Sequence, residues 1–375
     1  MLTQAAAKRW DVVVVGAGPA GTLTARGIAQ TGASVLLVER AAFPRYKVCG
    51  CCLNPRSIEL LGTAGLGSLL KEAGATPLHG VTIAAGGRRS AVALPAGFAL
   101  SRQVFDAALV EAAIKTGVDF LPQTPAKLEP STNADHRLVT FRQGSQETVV
   151  EARFVVDASG LGGKLAADLA DEVSPNSRIG AGVMIDHAED DYPPGIIHMA
   201  CGKDGYVGLV RVEAGRLDVA TAFDPAAVKE AGGLGPLAVR ILAEAGFPAV
   251  AGLEDMPWKG TPFLTRRRES LAEERVFRIG DAAGYVEPFT GEGMAWALAS
   301  AVSVVPILQR GLSGDTNGLA GEWVRAYQRQ VARRQMICRW TSRVLRRPRL
   351  TKLLVRFLAL APGLAGPVLR GMHRR

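Results

Sequence analysis

Gly16, Gly18 and Gly21, in the run Gly16-Ala-Gly-Pro-Ala-Gly21, have the spacing of a turn that cradles phosphate. The run follows Val12-Val-Val-Val15 and opens a segment of helical character from Pro19 to Thr31, the strand, tight turn and helix of a dinucleotide-binding unit. Gly16 allows the sharp turn. Gly18 lets backbone N–H groups approach a pyrophosphate with no Cβ in the way, and Gly21 lets the helix pack closely on the strand. The helix N-terminus then faces the phosphates. A second apolar run, Ser34 to Val38, ends in Glu39, about 20 residues past the glycines, where a carboxylate accepts both ribose hydroxyl protons and repels a 2′-phosphate. Ala20 and Arg40, beside these residues, complete the expected nucleotide contacts in this half of the chain.

A second signature lies far downstream. Arg275 to Ile279 reads as a strand, Gly280-Asp-Ala-Ala-Gly284 follows it, and Thr290-Gly-Glu-Gly-Met294 opens a long apolar helix to Leu308. Asp281 is placed to accept from a ribityl or ribose hydroxyl. The N–H groups at Gly293 and Met294, with Gly291 just before them, aim the positive end of a helix at an electron-rich ring edge. Two glycine-centred signatures at the two ends of one nucleotide spell FAD, and the helix end stabilises an anionic reduced flavin.

The cysteines add a third group. Cys49, Cys51, Cys52, Cys201 and Cys338 are an odd number without framework spacing, which argues against a disulfide scaffold. Cys49-Gly-Cys-Cys52 falls in the loop after Glu39, where flavin-facing residues come in this architecture. No second Cys pair or nearby His accompanies it, so no metal site is expected. The five histidines, at 79, 136, 187, 198 and 373, follow no catalytic pattern, and the sequence names no general acid or base.

These residues need a scaffold that 375 residues, 48% of them hydrophobic and 21% charged, readily supply. The predicted fold class is α/β: a Rossmann-like FAD-binding domain with a parallel sheet and β-meander, a mixed β-sheet substrate domain and a C-terminal helical region. A helix from Ser101, its N-cap, runs to Thr116. Three short stretches, 126–129, 137–142 and 147–151, read as the meander, and Phe154 to Asp157 then returns to the parallel sheet. Strands 206–212 and 217–223 pair across Glu213 to Arg216 in a second sheet covering the flavin's reactive side. The expected division gives the FAD-binding domain residues 1–75, 101–175 and 271–320, the substrate domain 76–100 and 176–270, and the basic helical region 321–375.

Charge is uneven. From Trp323 to Arg375 there are fourteen Lys and Arg and no Asp or Glu, more than the chain's whole net charge of +9, so the preceding body is net acidic. Few aromatics and no binding motif accompany the tail, which excludes nucleic acid as the expected partner. Leu350 to Leu360 interleaves bases with apolar residues. It reads either as an amphipathic helix lying on an anionic membrane surface or as a lid with solvated arginines and packed leucines. No stretch before the strand at Asp11 reads as a signal peptide, and the expected location is cytoplasmic, with a membrane-peripheral variant through residues 323–375.

The order of GAGPAG, Glu39, Arg102 at a helix start, VVDASG and GDAAG-x-x-x-P-x-TGEG resembles the p-hydroxybenzoate-hydroxylase-like FAD superfamily, over nearly the whole chain to about Ala320. Within it, Phe43-Pro-Arg-Tyr-Lys-Val-Cys-Gly50 and Pro288-Phe-Thr-Gly-Glu-Gly293 resemble the geranylgeranyl reductase branch, whose members reduce isoprenoid double bonds. The resemblance implies that Gly16, Gly18, Gly21, Glu39, Arg102, Asp281, Gly293 and Met294 line FAD and that Cys49 and Gly50 face the isoalloxazine and substrate. It departs at Cys51, where the branch has a second glycine, and after Gly160, where Gly163-Lys-Leu165 replaces the branch's Leu-Arg. The Trp-x-Trp-x-Ile-Pro stretch of related halogenases is not matched at Met256-Pro-Trp-Lys259.

The expectation is an FAD-dependent oxidoreductase of a hydrophobic small molecule, reducing carbon–carbon double bonds by hydride transfer. The alternatives are a monooxygenase of an aromatic or polyketide substrate and a flavin- or lipid-binding module without turnover. No second GxGxxG unit is present. The electron donor is therefore expected to be NAD(P)H bound transiently over the flavin, or reduced ferredoxin.

Overall fold

The computed structural model describes residues 5, 8–130, 135–163, 165, 171–289 and 291–360. Thr290, Lys164, His373 and the last part of the basic tail, all named above, lie outside the described residues.

The run Val12 to Val15 is apolar throughout because both of its faces are buried. Val12 and Val14 pack among the helices, and Val13 and Val15 pack on the meander side with Phe141 and Val150. It forms the strand Trp10–Val15, flanked in parallel by Val35–Val38 on one side and Gln146–Asp157 on the other. Asp119–Leu121 and Val276–Arg278 extend the parallel sheet outward. The helices Pro19–Ala29, Arg102–Ile114 and Gly293–Leu312 cover one face. The last is long and apolar enough to cross a membrane. In this fold it is a core helix, with Leu298, Ala301 and Val304 fully buried.

One expectation is corrected. The third meander stretch and the returning parallel strand are a single twelve-residue strand, Gln146–Asp157. Its first half pairs antiparallel with Arg137–Gln143, and its second half pairs parallel with Trp10–Val15. No Gly or Pro interrupts Gln146 to Asp157, so nothing in the sequence ends the strand where its partner changes. The apolar helix, which contains Pro306, also runs four residues past Leu308.

The second sheet has eight strands in the order Lys259–Phe263, Ile179–Ile185, Leu217–Phe223, Gly205–Arg211, Ile196–Cys201, Thr76–Ala85, Arg88–Ala99 and Cys52–Leu53. It is mixed, since Ile196–Cys201 pairs parallel with Thr76–Ala85 and its other pairs are antiparallel. Period-two alternation sorts its residues. Leu217, Val219 and Phe223 face the helix Leu234–Ala245, while Ala222 faces the opposite side with Tyr206, Met199 and Leu264. That second side turns toward the loops of the first sheet. Cys52–Leu53 joins its edge directly, so the cysteine loop is held by the sheet it confronts.

The two C-terminal helices, Arg333–Leu345 and Pro348–Leu360, lie along the body. Gln335, Cys338, Ser342, Thr351 and Val355 are buried beneath them. Arg346 reaches Glu287 and Asp224 at 3.2 and 3.4 Å. The lid reading expected packed leucines. Here Leu350, Leu353 and Leu354 are exposed, with Met336, Ile337, Trp340 and Phe357. Small and polar residues do the packing, which leaves the apolar residues among exposed arginines.

Candidate flavin site

The parallel strands end side by side. Gly16, Glu39, Ala158 and Ile279 each donate a backbone N–H to the end of a neighbouring strand, at 2.8–2.9 Å. The loops carrying both glycine signatures therefore meet in the crevice beyond the carboxyl ends of the strands, where open α/β sheets bind ligands.

Backbone contacts dictate the glycines. Gly16 has φ +109°, and a Cβ there would overlap the Ala158 carbonyl. A Cβ at Gly21 would overlap the Gly16 carbonyl, the close helix-to-strand approach that this third glycine permits. Gly18 differs. A Cβ there would meet only the guanidinium tips of Arg102 and Arg45, at 3.5 and 3.9 Å. The space over Gly18 is thus open, cationic and bordered by the helix N-terminus, which fits a pyrophosphate. Gly280, at φ +57°, stands 2.9 Å from Ala20 by the same measure, so the two signatures touch there.

Glu39 is buried at its strand end and accepts from the Ala17 and Ala41 N–H groups, each at 3.1 Å. It ties the glycine loop to its own strand as well as being placed for a ribose. Arg40 is exposed next to it. Arg102 opens its helix behind Ser101, which accepts from the Val104 N–H at 3.3 Å. The Arg102 guanidinium is held by Asp106 through bonds of 2.8 and 2.7 Å, and Arg45 binds the same carboxylate at 2.8 Å.

Sequence reasoning missed Arg45, Lys47 and Asp106. The Lys47 ammonium points at Gly160, and the positive charges of Arg102 and Arg45 join burial in lowering its pKa. A signal was available in Phe43-Pro-Arg-Tyr-Lys-Val-Cys-Gly50, whose alternate residues take opposite sides. Arg45, Lys47 and Cys49 lie with the cradle, whereas Tyr46 and Val48 lie over Gly182 of the second sheet.

Cys51 occupies the left-handed region at φ +53° and is buried. This is the conformation glycine adopts without strain, so the departure at this position keeps the backbone and adds a side chain. The Cys51 N–H donates to the Cys49 sulfur at 3.4 Å. Hydrogen bonds from Cys51 bring the Cys49 thiol down to about 6 against burial, and the Arg102 charge helps. Cys52 adjoins Gly291, and Asn54 reaches Glu292, the N-cap of the helix Gly293–Leu312, at 3.4 Å. The cysteine loop thereby abuts the start of that helix, where Gly293 stands against Tyr285 and Met294 is buried. Asp281 lies in the same electrostatic neighbourhood as Arg102, Lys47 and Tyr285.

Opposite the cradle, Leu161, Met199, Cys201, Tyr206, Ala222, Leu264 and Val355 form a buried apolar cluster, with Tyr285 and Phe289 packed on it. Val355 belongs to the last helix, so the exposed apolar face of the tail and this cluster share an element. His198 lies on the other side of the sheet, against Tyr192 and Phe247, and burial pushes it down to about 4.

A family described as an FAD binding domain matches residues 9–215, more than half of the chain. A digeranylgeranylglycerophospholipid reductase of Methanopyrus kandleri is 28% identical over 77% of this chain and 77% of its own length. A menaquinone reductase of Mycobacterium tuberculosis is 50% identical over 62 residues, 16% of this chain and 15% of that protein. Among solved structures, the flavin-dependent brominase Bmp2 superposes with a TM-score of 0.78 over 97% of this chain and 93% of its own, at 17% identity. The first of the curated relatives are matched over less than two thirds of their length, 61% for a conditioned medium factor receptor of Dictyostelium discoideum. The chain belongs to the FAD binding domain family, within the p-hydroxybenzoate-hydroxylase-like flavoproteins that include both reductases and halogenases.

Proposed function

We propose that this flavoprotein reduces carbon–carbon double bonds of an isoprenoid or similar lipid presented at an anionic membrane surface. The observation that carries the reading is the cysteine loop, which packs on Leu78, Ala99, Val210 and Val212 of the second sheet while Cys49 senses Arg102 of the cationic cradle. The cluster of Leu161, Met199, Cys201, Tyr206, Ala222 and Leu264 lies on the side of the second sheet that faces the flavin loops, with the Arg178 guanidinium 6.0 Å from the Tyr206 ring. The reductase relative from Methanopyrus kandleri, matched over 77% of both chains, supports the same direction.

Arg102, Arg45 and the Gly16–Gly21 loop would hold the pyrophosphate of FAD, and Glu39 its adenosine ribose. Asp281 and the N-terminus of the helix Gly293–Leu312 would hold the flavin end. Reduced flavin supplies hydride; the protein supplies position, field and exclusion of water. Tyr206, Phe289 and Tyr285 enclose the apolar side, and Cys49 would form the wall nearest the bound ring. The outer faces of the last two helices pair seven exposed apolar side chains with exposed basic ones. This is the composition of a surface that rests on anionic lipid, where each Lys or Arg contributes about 1 kcal/mol.

Anaerobic mixing of the reduced protein with a polyprenyl lipid tests the reading, because reduction needs no oxygen and hydroxylation does. Bleaching by NADH, NADPH and reduced ferredoxin, compared in turn, identifies the donor.

A further inference from the structure

Asp218 is a buried acid without a structural task. Its carboxyl is 1% exposed, and neither oxygen accepts a hydrogen bond of normal geometry from the described residues. Burying a carboxyl with no hydrogen bond of normal geometry is costly, and Cys51 and Arg216 offset that cost only in part.

Its position explains more than its burial does. In the strand Leu217–Phe223, Leu217 and Val219 face the helix layer, so Asp218 points to the other side, toward the flavin loops. Its neighbours in register are Met184 and Val210, which pack against Cys49, Cys51 and Cys52. Two residues along, Ala220 is opposite Gly182, and Gly182 lies under the Tyr46 hydroxyl, also buried with no hydrogen-bond partner among the described residues. The acid thus sits beneath the cysteine loop.

We propose that Asp218 is the proton donor of the reaction, its carboxyl giving a proton to one carbon of the substrate double bond as hydride reaches the other. This rests on the reductase reading above. The Asp218 O–H bond breaks, and the π pair forms a C–H bond with that proton. The other carbon receives hydride with its electron pair, so the alkene gains two hydrogens. Water returns a proton to Asp218, and a reduced nicotinamide or iron–sulfur donor restores the electron pair.

The surroundings suit an acid that stays protonated at neutral pH. Burial first, then the Cys49 sulfur and Glu213, push its pKa well above the carboxylate range, and Cys51 and Arg216 do not offset them. Tyr46 and Cys52 are the other titratable groups that sense it.

Asp218→Asn keeps the shape of a neutral carboxyl and removes the acidic proton. Infrared difference spectra of the flavin-bound protein should show a protonated-carboxyl band at pH 7 that the variant lacks. Peptide-resolved alkylation should give Cys49 the same pH midpoint in both, since a neutral group is exchanged for a neutral one. Under anaerobic conditions with digeranylgeranylglycerophospholipid in vesicles, the variant should bind FAD and accept electrons as wild type does. Its single-turnover flavin reoxidation should slow about 10²–10⁴-fold, the usual share of general acid catalysis, and Asp218→Glu should recover part of the rate. No carboxyl band in wild type, a lower Cys49 midpoint in the variant, or equal reoxidation rates would each overturn the proposal while leaving the reductase reading intact. No reoxidation by wild type with this lipid would overturn both.

Discussion

At Gly21 a single methyl group would strike the Gly16 carbonyl, whereas over Gly18, three residues earlier, the same group would meet only two guanidinium tips. On the far side of the site, Asp218, Tyr46 and Tyr206 stand on strands and loops whose backbones would accept many side chains. The cradle is framed by close backbone contacts, with Arg45 and Arg102 over its one open space, and the wall opposite it is made of side chains. A backbone site dictates its residues through sterics, so substitutions there act on folding or on occupancy. A side-chain wall leaves the fold alone and acts on chemistry.

The largest effect expected is at Gly21. Gly21→Ala should destabilise the protein by about 3 kcal/mol or more, because Gly21 is fixed in its helix and Gly16 is tied to the sheet through its N–H bond to the Val38 carbonyl. Thermal melts read this directly. Gly18→Val should leave the apoprotein's melting temperature close to that of wild-type apoprotein and yield colourless protein, since the side chain fills the pyrophosphate space. If Gly18→Val retains full flavin absorbance, the contrast between the two glycines collapses.

Glu39→Ala should weaken FAD binding by about 1–3 kcal/mol, the scale of hydrogen bonds to a charged group, and leave the bound flavin's spectrum unchanged. Because Glu39 also holds the Ala17 N–H, the apoprotein should lose some stability too. Binding isotherms and apoprotein melts separate the two roles.

Cys49 sharpens the comparison from the chemical side. Its thiol is held at about 6, below its ordinary value. Alkylation should therefore rise as pH increases through about 6, while buried Cys338 stays unreactive in the native protein. Arg102→Leu removes a positive charge that favours the thiolate, so the midpoint should move up. Cys49→Ser should keep FAD and alter turnover or product pattern.

The smallest effect is expected at the tail. Truncation after Trp323 would remove Tyr327, Val331 and Cys338 from the core, so surface substitutions are the cleaner test. Leu353→Ser with Trp340→Ser should leave melting and flavin content unchanged and reduce sedimentation with anionic vesicles. High salt should reduce the binding of the unaltered protein as well.

What could be read from the sequence follows the same division. The strand, turn and helix at Val12 to Thr31 and the second signature at Gly280 are forced by close approach, and close approach leaves glycines at fixed spacing. Arg45 and Lys47 escaped because their roles depend on which side of an irregular loop faces the cradle, and Asp106 because its task is to hold Arg102 one helical turn earlier and Arg45 of that loop. Asp218 escaped for a stronger reason. Nothing within its own strand distinguishes it from a polar residue facing water; only the loop packed across it, more than 160 residues away, makes it a buried acid. The single strand Gln146–Asp157 was divided in two because its partner changes halfway while its own sequence does not.

Reduction without oxygen is the central claim, and one experiment reaches it most directly. The protein is reduced under strict anaerobiosis, mixed with digeranylgeranylglycerophospholipid vesicles, and followed by flavin absorbance and product mass. The expected result is flavin reoxidation with no oxygen present and a product carrying two additional hydrogens. A flavin that stays reduced until oxygen is admitted, with a product that gains an oxygen atom, would contradict it.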